Sequence, residues 1–369
     1  MAFNENWSIK DILYLKSYKG ANSNIIRQVI DNYNSLEDFS NSVLPSKLSL
    51  IFSQSVILSR DDSKIEDRIN NIIEICQKEN YQIISIWDEN YPVLLREIHY
   101  PPILIFVKGN LSERKANVAI VGKRRCSEYG RYCSELFAGY LAKNNVIIIS
   151  GLAEGIDSYS HIAAMDAGGI TFAIIASGLD CILPTNKNQL ANQIVESGGA
   201  VISEYAPGIK AKIPYFPQRN RIISGMSKGV IVIESAERGG SLITAHFAFD
   251  QGREVYAVPG NITLEKSVGA NLLIKKNFAT IAISPEMVFD DLGLNDGKTQ
   301  RNLFVASKIE ELLDNDNQKL VYDLITSEPE HIDDISLKAQ LDMPEILVLL
   351  LELELKGIVK QLPGKYYVK

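Results

Sequence analysis

The sequence predicts an α/β protein built on a doubly wound, mostly parallel sheet, and two observations carry this prediction. Between about Tyr81 and Ile283, short apolar runs rich in β-branched residues alternate with segments of helical periodicity, which is the order of a parallel sheet covered by helices. The runs show no polar–apolar alternation, as expected of strands buried on both faces. They are YQIISIW, ILIFV, VAIVG, VIIIS, ITFAIIAS, AVIS, GVIVIE, EVYAV and TIAI, and the helices predicted between them include 129–143, 157–167, 188–197 and 242–251.

The chain before the sheet has the pattern of a small helical domain. Apolar residues recur there at spacings of three and four, as in Ile25, Ile26, Val29 and Ile30, which favours amphipathic helices. The predicted helices are 9–18, 23–33, 35–41 and 65–78. We assign residues 1–78 to a helical domain of the SAM or helix-hairpin-helix kind and residues 79–290 to the sheet domain.

The chain after the sheet predicts a linker and a winged helix. A polar stretch from Asp290 to about Arg301 opens a linker assigned to 291–316, which includes a further helix at 305–313. Residues 317–369 form the last predicted domain. Helical patterns at 318–327, 332–340 and 344–356 precede a hairpin that turns at Pro363-Gly364, and three helices followed by a hairpin is the winged-helix pattern.

Charge is unevenly distributed along the chain. The formal net charge is −7. Residues 286–369 contain 17 acidic and 9 basic residues, a net charge of −8, which leaves net +1 for residues 1–285. The sheet region is therefore free to hold basic patches in spite of the acidic total.

The composition disfavours several classes of protein. The four cysteines form no C-x-x-C pair and the four histidines are scattered, which gives no support to a disulfide framework or a metal site. There is no run of about 18 uncharged apolar residues to predict a membrane span. The N-terminus lacks the basic and apolar regions of a signal peptide, so we expect a cytoplasmic protein without membrane association.

The loop after the first central strand is basic. It reads Gly122-Lys123-Arg124-Arg125 and leads into a predicted helix. A dinucleotide-binding fingerprint requires glycine two and five places after the first glycine, where this chain has Arg124 and Ser127. The sequence therefore disfavours NAD or FAD, and no cofactor is expected. Three cations at a helix start suit a phosphate group, and a solvated basic turn remains the alternative.

The next strand ends in SGLAEGIDSYSH, with Gly151 and Gly155 around a second helix start. Such a start predicts a backbone pocket for an anion. Asp157 is placed to cap the helix and, four residues before His161, to hold its imidazole. An acid–base pair is the other reading, but no nucleophile motif lies nearby, so a structural pair is favoured.

Aromatic and basic residues mix in the segment from Pro207 to Lys228. It contains five cations and no acidic residue, with Tyr215 and Phe216 among them. Proteins that bind single-stranded nucleic acids combine stacking aromatics with cations along the backbone. A proline-rich surface loop with buried aromatics is the alternative, and Asn220 could equally fix a turn.

A fourth loop follows GVIVIE and reads SAERGGSLITA, in which Gly240, Ser241 and Thr244 open a helix. This is a third helix start suited to an anion. Each motif is weak by itself, but several phosphate-suited loops at one edge of a parallel sheet make a joint case for a phosphate-rich ligand.

Taken in order, these loops closely resemble the DNA-processing protein A family (DprA, also called Smf). The resemblance covers about residues 118–275 and rests on VGKRRCSEYG, SGLAEGIDSYSH, GITFAIIASGLD, SE, FPQRNRIISGMS, GGSLITAHFA and GREVYAVPG. Three positions depart from the family pattern: Lys123 replaces a small hydroxyl residue, Leu183 precedes Pro184, and Asn277 stands where a glycine is usual.

The resemblance implies an extended Rossmann-like core that forms a homodimer and binds single-stranded DNA without catalysis. It also implies that the protein protects incoming DNA and helps to load the RecA recombinase in natural transformation or homologous recombination. The expected DNA-binding residues are Lys123, Arg124, Arg125, Gly151, Gly155, Lys212, Phe216, Arg219, Asn220, Arg221, Gly240, Ser241 and Thr244.

Two questions stay open at this point. A nucleoside-monophosphate phosphoribohydrolase also uses a glycine-rich loop before a helix, but it needs a glutamate on that helix, where this chain offers His246 and Asp250. The last predicted helix carries Glu345, Glu352 and Glu354, whereas a helix that reads duplex DNA is normally basic. For the winged helix we therefore expect a partner-binding or autoregulatory role.

Overall fold

The chain forms two compact units in a computed structural model, Met1–Leu294 and Asn295–Lys369. The structure describes residues 7–52, 63–111, 116–294, 313, 315–326, 329–356, 358–362 and 364–368. The predicted helix at 305–313, most of the predicted linker and Pro363 lie outside the described residues. The domain boundary predicted between residues 78 and 79 stays a prediction.

Short helices open the first unit, as the sequence predicts. Ser8, Asn22 and Ser35 each accept a hydrogen bond from a backbone N–H of the first helical turn, which fixes where the first three helices begin. The helices are α1 (Ile9–Ser17), α2 (Ser23–Asn32), α3 (Leu36–Asn41), α4 (Ser46–Ser49) and α5 (Ser63–Lys78). Their apolar faces, with Phe39 and Phe52 at 5.3 Å between ring centroids, pack against the same core as the sheet.

All nine predicted runs form strands of one sheet. They are β1 (Gln82–Ser85), β2 (Leu104–Gly109), β3 (Asn117–Val121), β4 (Ile147–Ser150), β5 (Thr171–Ile175), β6 (Ala200–Ser203), β7 (Gly229–Val232), β8 (Glu254–Ala257) and β9 (Thr280–Ile281). Their spatial order is β1-β2-β6-β5-β4-β3-β7-β8-β9. Strands β3 to β9 are parallel, and β2 pairs antiparallel with β1 and β6.

Residues of β3 face two separate apolar cores. Ala119 and Val121 belong to the first core, and Val118 and Ile120 to the second. Successive strand residues point to opposite faces, so an unbroken apolar run is what a strand covered by helices on both sides requires. The covering helices are α6 (Val93–Arg96), α7 (Glu128–Lys143), α8 (Ile156–Asp166), α9 (Asn188–Glu196), α10 (Tyr215–Gly225), α11 (Gly240–Asp250), α12 (Glu265–Lys275) and α13 (Pro285–Asp291).

The strand order reverses between β3 and β7. From β3 the chain runs outward through β4, β5 and β6, then returns to β7 on the other side of β3. The loops that follow β3 and β7 therefore diverge and leave a crevice, which is where ligands of doubly wound sheets bind.

The second unit is a small winged helix. It contains α14 (Asp316–Leu324), α15 (Ile332–Ala339), α16 (Met343–Leu355), β10 (Glu330–His331), β11 (Lys360–Leu362) and β12 (Tyr366–Val368). The three predicted helices and the hairpin are confirmed, and β10 adds a third strand that pairs with β12. Val321, Ile335, Ile346 and Leu350 are at the centre of its apolar core. In the described part of the chain no helix is long and apolar enough to cross a membrane.

Candidate nucleic-acid interface

A cavity of about 480 Å³ opens at the point where the strand order reverses. Its walls come from the loops after β3, β4 and β7, from α10 and from the start of α11. Nine of the thirteen residues expected from the sequence line it: Lys123, Arg124, Arg125, Phe216, Arg219, Asn220, Gly240, Ser241 and Thr244. The topology thus brings together residues that are more than a hundred positions apart.

The loop after β3 presents cations to the cavity, while some amides of the following helix are already bonded. Arg124 and Arg125 are exposed. The buried Glu234 accepts hydrogen bonds from the Ser127 N–H at 2.9 Å and the Ser127 hydroxyl at 2.5 Å. The Ser127 hydroxyl in turn accepts from the Gly130 N–H at 3.0 Å. What this loop presents to the cavity is therefore mainly side-chain charge, since two amides at the start of α7 are already bonded.

Gly155 joins the loop after β4 to the basic loop. Its φ is +78°, a conformation that glycine adopts without strain. A Cβ at this position would clash with the backbone carbonyls of Lys123 and Arg124, and the next amide, that of Ile156, donates to the Lys123 carbonyl at 3.3 Å. Gly155 therefore lies behind the cavity wall and holds two loops in contact.

The prediction that Asp157 caps α8 and holds His161 is wrong. His161 is fully buried, its Nε2 donates to the Gly151 carbonyl at 2.7 Å, and its Nδ1 lies 2.6 Å from the Thr171 hydroxyl. Helix α8 has no side-chain cap; Asp157 instead accepts from the Ala153 N–H at 3.3 Å. The i,i+4 spacing allows a contact, but neighbouring strands offer the imidazole better-oriented partners. Burial lowers the pKa of His161 to about 4, although the Gly151 hydrogen bond opposes the shift.

Arg219 and Asp157 form a buried polar centre at the base of the cavity. A Cβ at Gly151 would clash with Asp157 Oδ2 and lie 2.8 Å from both terminal nitrogens of Arg219, so a larger residue there would displace these two buried side chains. Arg219 donates to the Ile174 carbonyl and, through Nε, to Asn220 Oδ1 at 3.2 Å. Burial lowers the pKa of Arg219 to about 10, with Asp157 opposing. Burial raises the pKa of Asp157, and the positive charge of Arg219 opposes that shift.

Helix α10 supplies the aromatic wall. The sequence treats this proline-rich segment as a loop, but Tyr215–Gly225 is helical. Pro217 is tolerated because N–H groups in a first helical turn have no intrahelical acceptor. The Arg124 guanidinium lies 5.7 Å from the centroid of the half-buried Phe216 ring. A second cavity of about 460 Å³ borders the first and shares Arg124, Ala153, Phe216 and Arg219 with it.

Four of the expected residues do not line the main cavity. Gly151 and Gly155 lie behind its wall, and Lys212 is exposed, with its ammonium 5.8 Å from the Tyr215 ring centroid. Arg221 forms an ion pair with Glu204 at 2.6 Å, and both side chains are mostly buried. The neighbouring Lys16 of α1 donates to the Glu204 carbonyl at 2.9 Å. Arg221 thus ties α10 to the end of β6.

Helix α11 begins at the cavity without a side-chain cap. The first N–H groups of a helix have no intrahelical acceptor, and they carry partial positive charge. Asn220 contacts this start, because its Nδ2 donates to the Gly240 carbonyl at 3.4 Å. Asp250, the residue that the hydrolase alternative depends on, is at the opposite end of the helix, outside the lining.

Sequence reasoning missed two glutamates that organise the site. Glu234 follows β7 and holds the loop after β3 through Ser127, 107 positions away. Glu204 follows β6 and pairs with Arg221. Each is a carboxylate within two residues of the end of a buried strand, and that position was the available signal. Of the residues that the structure places in the cavity lining, Asp157 is the one carboxylate.

Comparisons with known proteins identify the family of this chain. The family model "DNA recombination-mediator protein A" matches residues 82–293, and a model of the DprA winged helix domain matches residues 309–365. The chain is 39% identical over 302 residues to Protein Smf of Escherichia coli (strain K12), covering 79% of this chain and 78% of that protein.

Two solved structures are also similar. DNA processing protein A from Streptococcus pneumoniae has 35% sequence identity and a TM-score of 0.64, covering 77% of this chain and 97% of that one. DNA processing protein A from Helicobacter pylori has 27% identity and a TM-score of 0.52, covering 57% and 95%, in a structure concerned with its single-stranded DNA binding mode. With a family model matched over more than half of its length, the chain belongs to the DNA recombination-mediator protein A family, that of the DprA and Smf proteins.

Proposed function

We propose that this protein binds single-stranded DNA in the cavity between the β3 and β7 loops. The observation that carries the proposal is the combination found there: Lys123, Arg124 and Arg125, an uncapped helix start at Gly240, and the half-buried Phe216. Cations and free amides bind phosphate, and an aromatic ring binds the face of a base. The Helicobacter pylori relative, with its single-stranded DNA binding mode, supports the same ligand.

The position of Phe216 favours a single strand over a duplex. The ring is half-buried between two cavities and lies beneath Arg124. A base can stack on this ring only after it has unstacked from the neighbouring bases. Unstacking costs little free energy in a single strand, whereas in a duplex the base pair must also be broken. We therefore propose that phosphates lie along the basic loop and that a base enters beside Phe216.

We propose a binding role without catalysis. Asp157, the carboxylate in the described lining, is directed toward the Ala153 amide and the Arg219 charge, which suits a structural role. The hydrolase alternative needs an acid on α11, and Asp250 is about 15 Å along the helix from Gly240 at 1.5 Å per residue. If purified protein released free base from nucleoside monophosphates, and Asp250→Asn abolished the release, the binding proposal would give way to that enzyme.

The physiological part of the proposal rests on family membership. We propose that the protein acts as a homodimer in the cytoplasm, protects incoming single strands and helps the RecA recombinase to assemble on them. Its test is the rate of ATP hydrolysis by RecA on oligo-dT that is already covered by a single-strand-binding protein. Addition of the full-length chain should shorten the lag, and an unchanged lag would remove RecA loading from the proposal while leaving strand binding intact.

Fluorescence anisotropy of labelled oligo-dT and of a matched duplex is the direct test of strand binding. We expect the single strand to bind more tightly, with an affinity that falls as salt rises. Arg124→Ala should weaken oligo-dT binding about tenfold, as for loss of a hydrogen bond to a charged group, and reduce the salt slope by about 0.7 for one lost phosphate contact.

Lys143→Ala is the matched control, because Lys143 is an exposed cation at the opposite end of α7 from the basic loop. It should bind like the wild type. Equal affinities for the wild type and Arg124→Ala, or no preference for the single strand, would contradict the proposed site.

A further inference from the structure

The third helix of the winged helix, α16, is apolar on two opposite faces. Ile346, Leu349, Leu350 and Leu353 are buried in the core of the unit. On the opposite face, Leu347, Val348, Leu351 and Leu355 are 42%, 55%, 56% and 79% exposed. At about 100° per residue, these four form one continuous stripe, which we call the α16 stripe. Solvent-facing helix surfaces are normally polar, so this stripe is suited to a partner.

Glutamates flank the stripe on both sides. With the same helical geometry, Glu345 and Glu352 lie along one edge and Glu354 along the other. Within the described part of this unit their hydrogen-bond donors are uncharged: Asn317 Nδ2 at 2.9 Å, Gln318 Nε2 at 2.6 Å and the Gln361 N–H at 3.2 Å. These bonds orient the carboxylates without neutralising them.

This surface does not suit duplex DNA. A winged helix that reads DNA places polar and basic side chains of its third helix against base edges and phosphates. The α16 stripe would instead set leucine and valine against the groove and glutamate against the phosphates. Apolar surface cannot replace the lost hydration of bases, and like charges repel.

Besides DNA, the α16 stripe could be covered by a second copy of the protein, by another segment of the same chain or by a partner protein, and charge decides between them. A second copy of α16 would bring glutamate against glutamate at both edges, a repulsive arrangement that opposes self-pairing. The chain segment 295–312 contains three acidic and three basic residues, so it has no surplus of positive charge. An occupant that matches both features is apolar along one helical face and basic along its flanks.

We propose that the α16 stripe is a docking surface for a basic amphipathic helix of a partner protein. The leucines and Val348 take up the apolar face of that helix, and the three glutamates pair with lysine or arginine at its margins. The proposal concerns the second unit alone and does not rest on strand binding by the first.

The test uses full-length protein and two labelled synthetic 18-residue peptides of leucine and lysine. In one peptide the leucines recur at helical spacing on one face; in the other the same residues are rearranged so that no face forms. We expect anisotropy to report binding of the first peptide at least tenfold tighter than the second. Leu351→Ser and Val348→Ser should each weaken it about tenfold, as for loss of a buried apolar side chain.

Leu337→Ser is the matched control, because Leu337 is an 80% exposed leucine on α15 of the same unit. It should bind the first peptide like the wild type. The double variant Glu352→Gln/Glu354→Gln should weaken binding and flatten its salt dependence. The apolar side chains substituted here are exposed and the two glutamates are partly exposed, so circular dichroism should show an unchanged fold, and Leu347→Ser replaces any apolar variant that fails this check.

Other outcomes would overturn the proposal. Equal binding of the two peptides, or equal binding by wild type and Leu351→Ser, would show that net charge alone accounts for the interaction and that the α16 stripe is not involved. A change of oligomeric state in Leu351→Ser by analytical ultracentrifugation would assign the stripe to a second copy, and a loss of duplex DNA binding would assign it to DNA. Oligo-dT affinity measured on the same variants should not change, which separates this test from that of the cavity.

Discussion

Two places in this molecule are standard ligand positions of their folds, and their side chains differ completely. The crevice between the β3 and β7 loops is lined by Lys123, Arg124 and Arg125 around an aromatic ring. The third helix of the winged helix exposes leucines flanked by Glu352 and Glu354. A fold determines where a ligand can bind, and the side chains there decide which ligand it is.

The comparison also explains how an acidic chain can hold a basic site. The net charge of −7 is the sum of a nearly neutral first part and a strongly acidic remainder. Long-range attraction of DNA depends on the local field around the crevice rather than on the total. The same separation leaves the second unit acidic, which fits the proposal that its exposed helix binds a protein rather than DNA.

If strand binding belongs to the cavity lining, as proposed above, the buried cation Arg221 outside that lining should act mainly on stability. Arg221→Ala leaves Glu204, which is 13% exposed, without its 2.6 Å partner. Removal of one member of a buried ion pair costs about 3–5 kcal/mol, and the proximity of Lys16 places the expected loss at the lower end. Urea unfolding followed by tryptophan fluorescence reports this unit, because Trp7 and Trp87 both lie in it.

Arg124→Ala is the control for this prediction and should change the free energy of unfolding by less than about 0.5 kcal/mol, as for exposed positions. If Arg221→Ala instead keeps full stability and loses oligo-dT affinity, Arg221 belongs to the DNA-binding surface, and that surface extends beyond the cavity lining.

The sheet unit should also lose stability in acid through His161. Its folded-state pKa of about 4 lies below the unfolded value of about 6.5. Between these values the unfolded chain binds the proton and the folded chain does not, so stability is lost as pH falls from about 6.5 to 4. The full effect is about 3 kcal/mol.

His161→Gln removes this proton and should flatten the pH dependence of the unfolding free energy over that range. The comparison of wild type and variant at each pH cancels the contributions of other groups, such as Asp157. A variant with the same slope as the wild type would show that the imidazole takes up its proton without unfolding.

The aromatic wall of the cavity should have a smaller effect, in free energy of DNA binding, than the buried charges have in free energy of unfolding. Phe216→Ala should weaken oligo-dT binding by about 2 kcal/mol, within the range of 1–3 kcal/mol for one stacked base, and Phe216→Trp should restore most of the affinity. Phe249→Ala is the control, because Phe249 is an exposed aromatic at the end of α11 and stacks on Phe278 at 4.3 Å. An equal loss in both variants would point to a general effect on the fold.

The sheet and most of the cavity lining could be predicted from the sequence, because the signals for them lie within short stretches of the chain. Val118 to Val121 form an unbroken apolar run, which identifies a strand buried on both faces. The basic loop and the helix that starts at Gly240 are the next features along the chain after such strands, and parallel strands bring their ends to one edge.

The contacts that organise the cavity could not be predicted in the same way. Arg219 looks like a surface cation in a basic segment, but it is buried and feels the charge of Asp157, which is 62 positions earlier in the sequence. Glu234 bonds to Ser127 across two neighbouring strands. Such pairs depend on strand order and side-chain direction in three dimensions, and neither periodicity nor spacing along the chain encodes them.

The smallest expected effect concerns the second unit. The described residues that line the cavity all belong to residues 1–294, the first compact unit, so removal of residues 300–369 should leave oligo-dT affinity within about threefold, or about 0.7 kcal/mol. The measurement is the same anisotropy titration, at low salt where electrostatic contributions are largest. A loss of more than tenfold would show that the winged helix contacts the strand in spite of its charge. A gain of more than tenfold would show that the acidic unit competes with DNA for the basic loop, because a polyanionic segment can occupy the same cations.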